Sequence, residues 1–478
     1  MNRVQIATET ERKYDVPEDF ELPALTGTGG IRSAGDAETQ DLDATYFDTD
    51  ELSLMRSKRT LRRRTGGHDA GWHLKTPADA GSRREHRLPL NGDQEHVPAE
   101  LTQQVRAIIR RRPLHAIAEL RTRRVETPLR DAAGHTLALV AQDRVTALVD
   151  GQEQGWQEVE VELVDGDAAV LDAVERRLLA AGARAAAGPS KVARARGDRA
   201  PASTDRSKVK SHPIIRYAKE QRDDLTRFDP GVRRGEGEAV HKMRVATRRL
   251  RSSLKTFKRT FRDAAVVRDE LKWLAGLLGE VRDGQVLAGK LLAGVEQAGP
   301  EFAPAAARIR EHLDGQVERG RAALGEALES ERYLALLDRI DHLVDDTDRV
   351  EDNPLKRART DLHHADGLLD QALAAGEDAE LHEARKAYKR ARYAVEVFVP
   401  SVGKPAKELV GALTDLQDVL GAHQDSVVAR ELLHEWGPDS FHFGVLWARQ
   451  EQVGRETYAQ LPVVVEASRK NKLRKWLG

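Results

Sequence analysis

The chain has no cysteine. That excludes a disulfide framework, a thiol nucleophile and a thiolate metal site, so any metal must be held by carboxylate or imidazole, and hard divalent cations lead the candidates. Aromatic residues make up only 5% of the sequence, and no aromatic platform for stacking bases stands out. Neither charge is in excess: 77 Lys and Arg face 78 Asp and Glu, for a formal net charge of -1. Nothing in the overall balance points to a nucleic-acid coat, so electrostatic function must come from local sorting of charge. There is no P-loop and no GxSxG elbow, and Gly29-Gly30 and Gly66-Gly67 read as turns. No stretch approaches ~18 uninterrupted apolar residues, and the N-terminus lacks the apolar core of a secretion signal, so no membrane partner and a cytoplasmic location are expected.

What is present divides in two. With 478 residues, 32% charged and 40% hydrophobic, the chain is long enough for two to four soluble domains. Residues 1–197 carry short alternating segments between Gly, Pro and Asp, the pattern of an antiparallel β sandwich or barrel. Helices are expected over 98–111 and 168–181, the second capped by an Asp of Asp165-Gly166-Asp167, with a tight Asn-Gly turn over 90–93. Residues 198–211 are polar, contain Pro and lack periodicity, which reads as a linker. Residues 212–478 turn to long Ala, Leu, Arg and Glu runs with helical spacing, broken near Pro230-Gly231, Gly299-Pro300, Asn353-Pro354 and between Pro400 and Pro405.

The helical half repeats itself. The run from His241 to Arg251 is echoed from His382 to Arg392, and the run ending at Asp283 is echoed by one ending at Asp425, at nearly the same offset. An internal duplication follows, with repeats at about 212–348 and 349–478 forming two similar bundles related by a pseudo-twofold axis.

Residues two apart in a strand share a face. Parity therefore groups Glu9, Glu11 and Lys13; Arg62 and Arg64; His73 and Lys75; Arg83, Glu85 and Arg87; Arg121 and Arg123; and Glu158, Glu160 and Glu162. Alternate positions include Leu61, Trp72, Leu74, Leu120, Val159 and Val161. A charged face meeting water would explain any one strand. It does not explain the sorting, in which carboxylates gather on the first and last strands and bases fill those between. A closed barrel with both rows inside would have a use, since carboxylates hold Mg2+ or Mn2+ and Arg and Lys grip phosphate oxygens.

These residues resemble a known family. Glu9-Thr10-Glu11-Arg12-Lys13 matches the ExExK signature of CYTH domains, the triphosphate tunnel metalloenzymes, and TYFDT (45–49), LRRR (61–64), HLKTP (73–77), REHRLPL (84–90), EVEVEL (158–163) and Ser190-Lys191 follow in that family's order. The resemblance covers about 1–197. It implies an eight-stranded antiparallel β-barrel tunnel that hydrolyses or converts a triphosphate with Mg2+ or Mn2+. Carried over by position, Glu9, Glu11, Glu160 and Glu162 look like metal ligands, with Glu158 and Asp143 as weaker members. Lys13, Arg62, Arg64, Lys75, Arg121, Arg123 and Lys191 look like triphosphate contacts, and no catalytic side chain is assigned. Arg87 and Ala141 depart from the family by standing where acids are common.

On a helix, His241, Arg244, Arg248 and Arg251 form one stripe, and His382, Arg385, Lys389 and Arg392 reproduce it. Aligned like charges repel unless an anion or neighbouring acids sit against them, so the duplicated stripe points to a polyanion site. The stripes, with Arg249, Lys386 and Arg390 beside them, resemble the CHAD domain, an all-α domain associated with inorganic polyphosphate; the match spans about 212–475. That resemblance implies two four-helix bundles with the stripes lining a shared groove. Asp283 and Asp425 are expected to cap helices or orient the arginines. The basic tail from Arg469 to Trp476 suits either an extension of that site or another anionic surface.

The expected function is thus metal-dependent hydrolysis of inorganic triphosphate, tethered to a polyphosphate-binding domain, with polyphosphate granules as a place of association. Nucleic acid is not an expected partner. Two alternatives stay open: a nucleoside, thiamine or RNA 5′-triphosphate in the tunnel, or a polyphosphate-binding scaffold without turnover.

Overall fold

The computed structural model describes residues 4–78, 82–90, 95–201, 212–261, 264–347 and 353–478. The chain divides into two compact units between Lys208 and Val209. Most of the expected linker, 198–211, lies outside the described residues, as do Asn91, Gly92 and Asp93 of the expected turn.

The first unit runs β1 (Gln5–Glu9), β2 (Glu11–Val16), β3 (Ser33–Ala34), β4 (Glu38–Asp48), α1 (Ser53–Arg56), β5 (Thr60–Thr65), β6 (Gly71–Pro77), β7 (Arg83–Leu88), α2 (Ala99–Ile109), β8 (His115–Arg130), β9 (Thr136–Val149), β10 (Gln152–Leu163), α3 (Ala168–Ala180), β11 (Arg184–Ala185) and α4 (Lys191–Arg196). The strand order is β1-β7-β6-β5-β4-β8-β9-β10-β2-β11, with β3 on β8. Every neighbouring pair is antiparallel. Only Thr10 separates β1 from β2, yet β1 pairs with β7 and β2 with β10. The N-terminal run therefore bridges the two ends of the sheet. Counted as one strand, β1 and β2 complete a ring of eight among the described residues.

Alternation then puts two of the barrel's apolar clusters outside the ring. Trp72 and Leu74 of β6 pack with Leu61 and Phe47 under Leu101 and Val105 of α2. Tyr14, Val140, Val159 and Val161 pack under Val170, Leu171, Val174 and Leu178 of α3. The two helices cover the barrel because each fully buried side chain of this kind contributes about 1.5–3 kcal/mol. The Asp167 carboxylate caps α3 by accepting from the Ala169 amide at 2.9 Å.

The second unit runs α5 (Pro213–Arg233), α6 (Gly237–Thr256), α7 (Ala265–Ala298), α8 (Ala303–Glu329), α9 (Glu331–Asp345), α10 (Pro354–Ala375), α11 (Asp378–Glu396), α12 (Val399–Val402), α13 (Lys404–Trp436), α14 (Phe441–Arg469) and α15 (Asn471–Arg474). The duplication is visible in element lengths. Helices of 21, 20, 34 and 27 residues (α5 to α8) are matched by 22, 19, 33 and 29 (α10, α11, α13 and α14). Within each set, successive helices pack together, and α6 meets α11 between the sets. Pro230 does not end α5, which continues to Arg233. The basic tail turns back on its own unit: Arg474 and Arg469 pair with Asp366, which also accepts from the Tyr388 hydroxyl at 2.6 Å. Among the described residues, no helix is long and apolar enough to cross a membrane.

Because the core lies outside the ring, Leu74→Ala, at a fully buried position on the outer face, should destabilise the protein by roughly 2–5 kcal/mol. Urea unfolding followed by tryptophan fluorescence would measure it.

Candidate functional site

The inner face of the barrel gathers the charged rows around a narrow cavity of about 60 Å³. Glu9, Glu11, Lys13, Arg62, Arg64, Lys75, Glu160, Glu162 and Lys191 all line it. The seam at Thr10 places Glu9 and Glu11 on neighbouring strands at the point of closure. Parity supplies the rest, and α4 delivers Lys191 from one end.

Lys191 is the hub of the acidic row. Its ammonium lies 2.9 Å from Asp143 Oδ2, 2.7 Å from Glu158 Oε1 and 2.6 Å from Glu160 Oε1. Burial works against the charge on Lys191, but the three carboxylates more than reverse this and hold its pKa well above the ordinary lysine value. Arg124 forks onto Asp143 at 2.8 and 2.7 Å and reaches Glu160 at 2.6 Å. Lys13 pairs with Glu160 and, at 3.3 Å, with Glu11. Around the ring, Lys75 lies 2.5 Å from Glu9, and Arg87 joins Glu9 at 2.8 Å to Glu85.

Two groups are left over. Glu162 has no ion pair or hydrogen bond among the described residues, and burial, followed by Glu9, lifts its carboxyl to about 7. Arg62 hydrogen-bonds the Tyr46 hydroxyl at 3.5 Å and has no ion pair among the described residues; burial disfavours its charge, but Tyr46 and Glu85 more than offset this and hold its pKa above the ordinary value. Nearby, burial followed by Arg62 and Arg124 pulls Arg64 down to about 9. Arg64 is nevertheless paired with Asp69, so the cavity carries one carboxyl, Glu162, and one guanidinium, Arg62, without an ion pair among the described residues.

The carboxylates fit a divalent ion chemically. Asp143, Glu158 and Glu160 each offer an oxygen within 4.8 Å of the others, an all-oxygen set suited to a hard cation. In this structure the Lys191 ammonium stands among them. Glu162, with Glu9 and Glu11 near enough to raise its pKa, is the carboxyl most in need of a cation.

Arg121 and Arg123 are not part of the cavity. Both are exposed on the outer face of β8, where Arg121 lies 3.7 Å from Asp43 and Arg123 is paired in register with Asp41. The parity was right and the face was wrong. At that end of the barrel Val192 and Ala195 of α4 pack against Ala118, Leu120, Val145 and Ala147, so the apolar positions of β8 point inward there. In phase with them is Arg124, which lines the cavity in place of the other two. The signal was the Leu120–Thr122–Arg124 alternation. Tyr46, Arg83, Glu85 and His73 also line the cavity; His73 is held neutral by burial, its pKa pulled down to about 4.

In the second unit, α6 and α11 bring Arg244, Arg248, Arg385 and Lys389 into one cluster. The three arginines all act on Lys389, and Arg248 acts on Arg385. Arg244 pairs with Asp283 at 2.9 Å, and Arg248 donates to the Tyr393 hydroxyl at 2.9 Å. Arg244 Nε, Arg385 Nε and His382 Nδ1 are buried without a hydrogen-bond partner among the described residues. Gly279 and Gly421 stand at equivalent places beside Arg244 and Arg385. His241 and His382 flank the cluster, each with its pKa lowered, first by burial and next by Arg282 and Lys386 respectively. Arg251 follows Arg248 along the stripe.

The remaining expected contacts are otherwise engaged. Arg249 is tied to Glu396, Arg390 lies 3.7 Å from Asp361, and Arg392 donates to Gln417 at 3.0 Å. Lys386 pairs with Glu383 on its own helix at 2.6 Å. Asp283 and Asp425 lie inside α7 and α13, so neither caps a helix; Asp283 orients Arg244, and Asp425 pairs with Lys290.

A barrel lined with compensating acids and bases, followed by a duplicated helical unit with a cationic seam, defines a class of phosphate-handling two-domain proteins. A CYTH domain model matches residues 7–195 and a CHAD domain model matches residues 216–434. Uncharacterized proteins of Mycobacterium tuberculosis strains CDC 1551 / Oshkosh and H37Rv are each 38% identical, over 95% of this chain and 94% of their own. The chain belongs to this CYTH–CHAD family. Among solved structures it is similar to PptA from Streptomyces chartreusis (19% identity, 53% of this chain and 98% of that one, TM-score 0.46). It is also similar to the CHAD domain of the plant Ricinus communis (25% identity, 54% of this chain and 91% of that one, TM-score 0.42).

The arginine placements are directly testable. Arg124→Ala should weaken tripolyphosphate binding by at least ~10-fold, whereas Arg121→Ala and Arg123→Ala should change it less than twofold. Isothermal titration calorimetry with tripolyphosphate would separate them.

Proposed function

We propose that the barrel hydrolyses inorganic triphosphate with the help of Mg2+ or Mn2+, and that the helical unit binds inorganic polyphosphate. The observation that carries the first half is incomplete pairing in one cavity, a half-buried Glu162 raised to about 7 and an Arg62 without an ion pair among the described residues. A short polyanion and a divalent cation together would satisfy both. Glu9, Glu11 and Glu162, with Glu160 beside them, would hold the ion. When bound, such an ion polarises phosphoryl oxygens and lowers the pKa of a coordinated water.

The protein's own part is to bind and orient. Arg62 and Arg64 present guanidinium forks suited to phosphate oxygens, and Lys13 and Lys75 add point charges. The ring of strands limits access of bulk water, which strengthens each of these contacts. Tyr46 and His73 are the only aromatic rings lining the cavity among the described residues, and a nucleobase would find no exposed stacking surface there. That favours inorganic triphosphate over a nucleoside or RNA 5′-triphosphate.

A scaffold reading has one observation behind it. Lys191 and Arg87 occupy carboxylates that a metal would otherwise use. Phosphate release from inorganic triphosphate, ATP and long-chain polyphosphate, each with Mg2+, Mn2+ or EDTA, decides between the two. The expected result is metal-dependent release mainly from inorganic triphosphate, reduced on the order of 100-fold by Glu11→Gln or Glu162→Gln. Polyphosphate binding without release would establish the scaffold.

For the helical unit, replacing Arg244, Arg248 and Arg385 with Ala should weaken polyphosphate binding. The dependence of log affinity on log salt should become shallower by roughly 0.7 for each cation removed, by analogy with single-stranded nucleic acids. Calorimetry at several salt concentrations would read this, and an unchanged slope would place the site elsewhere.

A further inference from the structure

The cationic seam of the helical unit is not symmetric in chemistry. Arg248 on α6 has Lys389 as its counterpart on α11. A guanidinium keeps its proton under all ordinary conditions, but an amine can release it. Lys389 stands where release is favoured. Arg244 and Arg248 face it from α6, Arg385 from its own helix and Asp425 from α13.

The acids that could compensate Lys389 are committed elsewhere. Asp425 pairs with Lys290 and Asp283 with Arg244. On α10, Asp361 faces Arg390, and Asp366 is held by Tyr388, Arg469 and Arg474. Lys389 itself forms no ion pair among the described residues. Burial, then Arg248, Arg385 and Arg244, pull its pKa down to about 7, with Asp425 opposing weakly.

We propose that binding of a phosphate polyanion to this cluster is coupled to uptake of one proton by the Lys389 amine, so that the helical unit reads pH as well as polyanion charge. This rests on the polyphosphate reading of that unit. A polyanion laid across Arg244, Arg248 and Arg385 cancels the repulsion that expels the proton, and the amine returns toward its ordinary value of ~10.4.

The sign and size follow from linkage. With the free amine near 7, binding below about pH 6 needs no proton at Lys389, while at pH 8 Lys389 takes up about 0.9 proton. Between about pH 8 and 10, affinity should fall by close to tenfold per pH unit. His241 and His382 also face the cluster, but both start below the ordinary histidine value. In the free protein both are therefore neutral at pH 8, and comparison with Lys389 variants that keep both histidines isolates the lysine's share.

The experiment is calorimetry of the full chain with long-chain inorganic polyphosphate at pH 8 in EDTA, in buffers of different ionisation enthalpy, comparing the native protein with Lys389→Arg and Lys389→Met. The native protein should take up about 0.9 proton more per site than either variant. At pH 8 the K389R protein should bind about tenfold tighter than the native one, and at pH 6 about equally. K389M should bind more weakly than both at pH 6. Proton uptake equal in all three proteins, or absent from the native one while polyphosphate binds, overturns the proposal. Absence of polyphosphate binding in every protein overturns the reading of the helical unit and this proposal with it.

Discussion

A carboxylate or ammonium taken out of water loses hydration worth several kcal/mol even after the protein relaxes, comparable to the net stability of a whole domain. The barrel buries a ring of such groups, so each must find a partner of opposite sign within it. Three carboxylates from β9 and β10 converge on Lys191, and Arg124 closes on two of the same three. Lys75 and Arg87 do the same for Glu9 and Glu85. This reciprocity makes the residue at the start of α4 as necessary as any strand residue, because removing one ammonium strands several carboxylates at once. It also shows where the compensation stops. Among the described residues Glu162 and Arg62 line the cavity without an ion pair, and they are places where an external cation and an external anion would gain.

The same constraint decides where the hydrophobic core lies. With ions inside the ring, Trp72, Leu74, Val159 and Val161 are forced outward by alternation, and α2 and α3 exist to cover them. The seam at Thr10 belongs to this logic as well. Because one N-terminal run serves both β7 and β10, the two acidic side chains on either side of Thr10 are fixed relative to both halves of the barrel. Strand order, core placement and the acidic seam are thus three consequences of one alternating pattern.

That pattern is why so much was legible in the sequence. A period of two identifies which side chains travel together, and it grouped Glu9 with Glu11, Arg62 with Arg64 and Glu160 with Glu162 correctly. Period alone does not say which face is inside. The charged face is inner wherever the barrel surrounds the cavity, but α4 brings Val192 and Ala195 into one end, and there the apolar face turns inward. Arg121 and Arg123 were misplaced for this reason, and Arg124 was missed for the same reason. In the helical unit, the period of 3.6 found the stripes, and the duplication found their pairing. What it did not find was which basic residues neighbouring helices had already claimed, since Glu396, Asp361 and Gln417 reach Arg249, Arg390 and Arg392 from elsewhere in the sequence.

The duplication also fixes what kind of site two copies can make. Equivalent arginines from α6 and α11, each beside an equivalent glycine, meet where these two helices pack. A ligand held there is gripped by two similar halves, which suits a chain of identical anionic units better than a compact molecule with distinct ends. The copies have nevertheless diverged at one position in the middle of the cluster, where one carries Arg248 and the other Lys389. Both residues supply a cation to a bound anion, but they differ in the absence of one. Four fixed charges would repel at full strength in the empty site, whereas three fixed charges and an amine can shed a proton and relax. The substitution therefore lowers the free energy of the empty site more than that of the occupied one. It trades some affinity at high pH for a less strained unit, a trade available only to the copy that carries lysine.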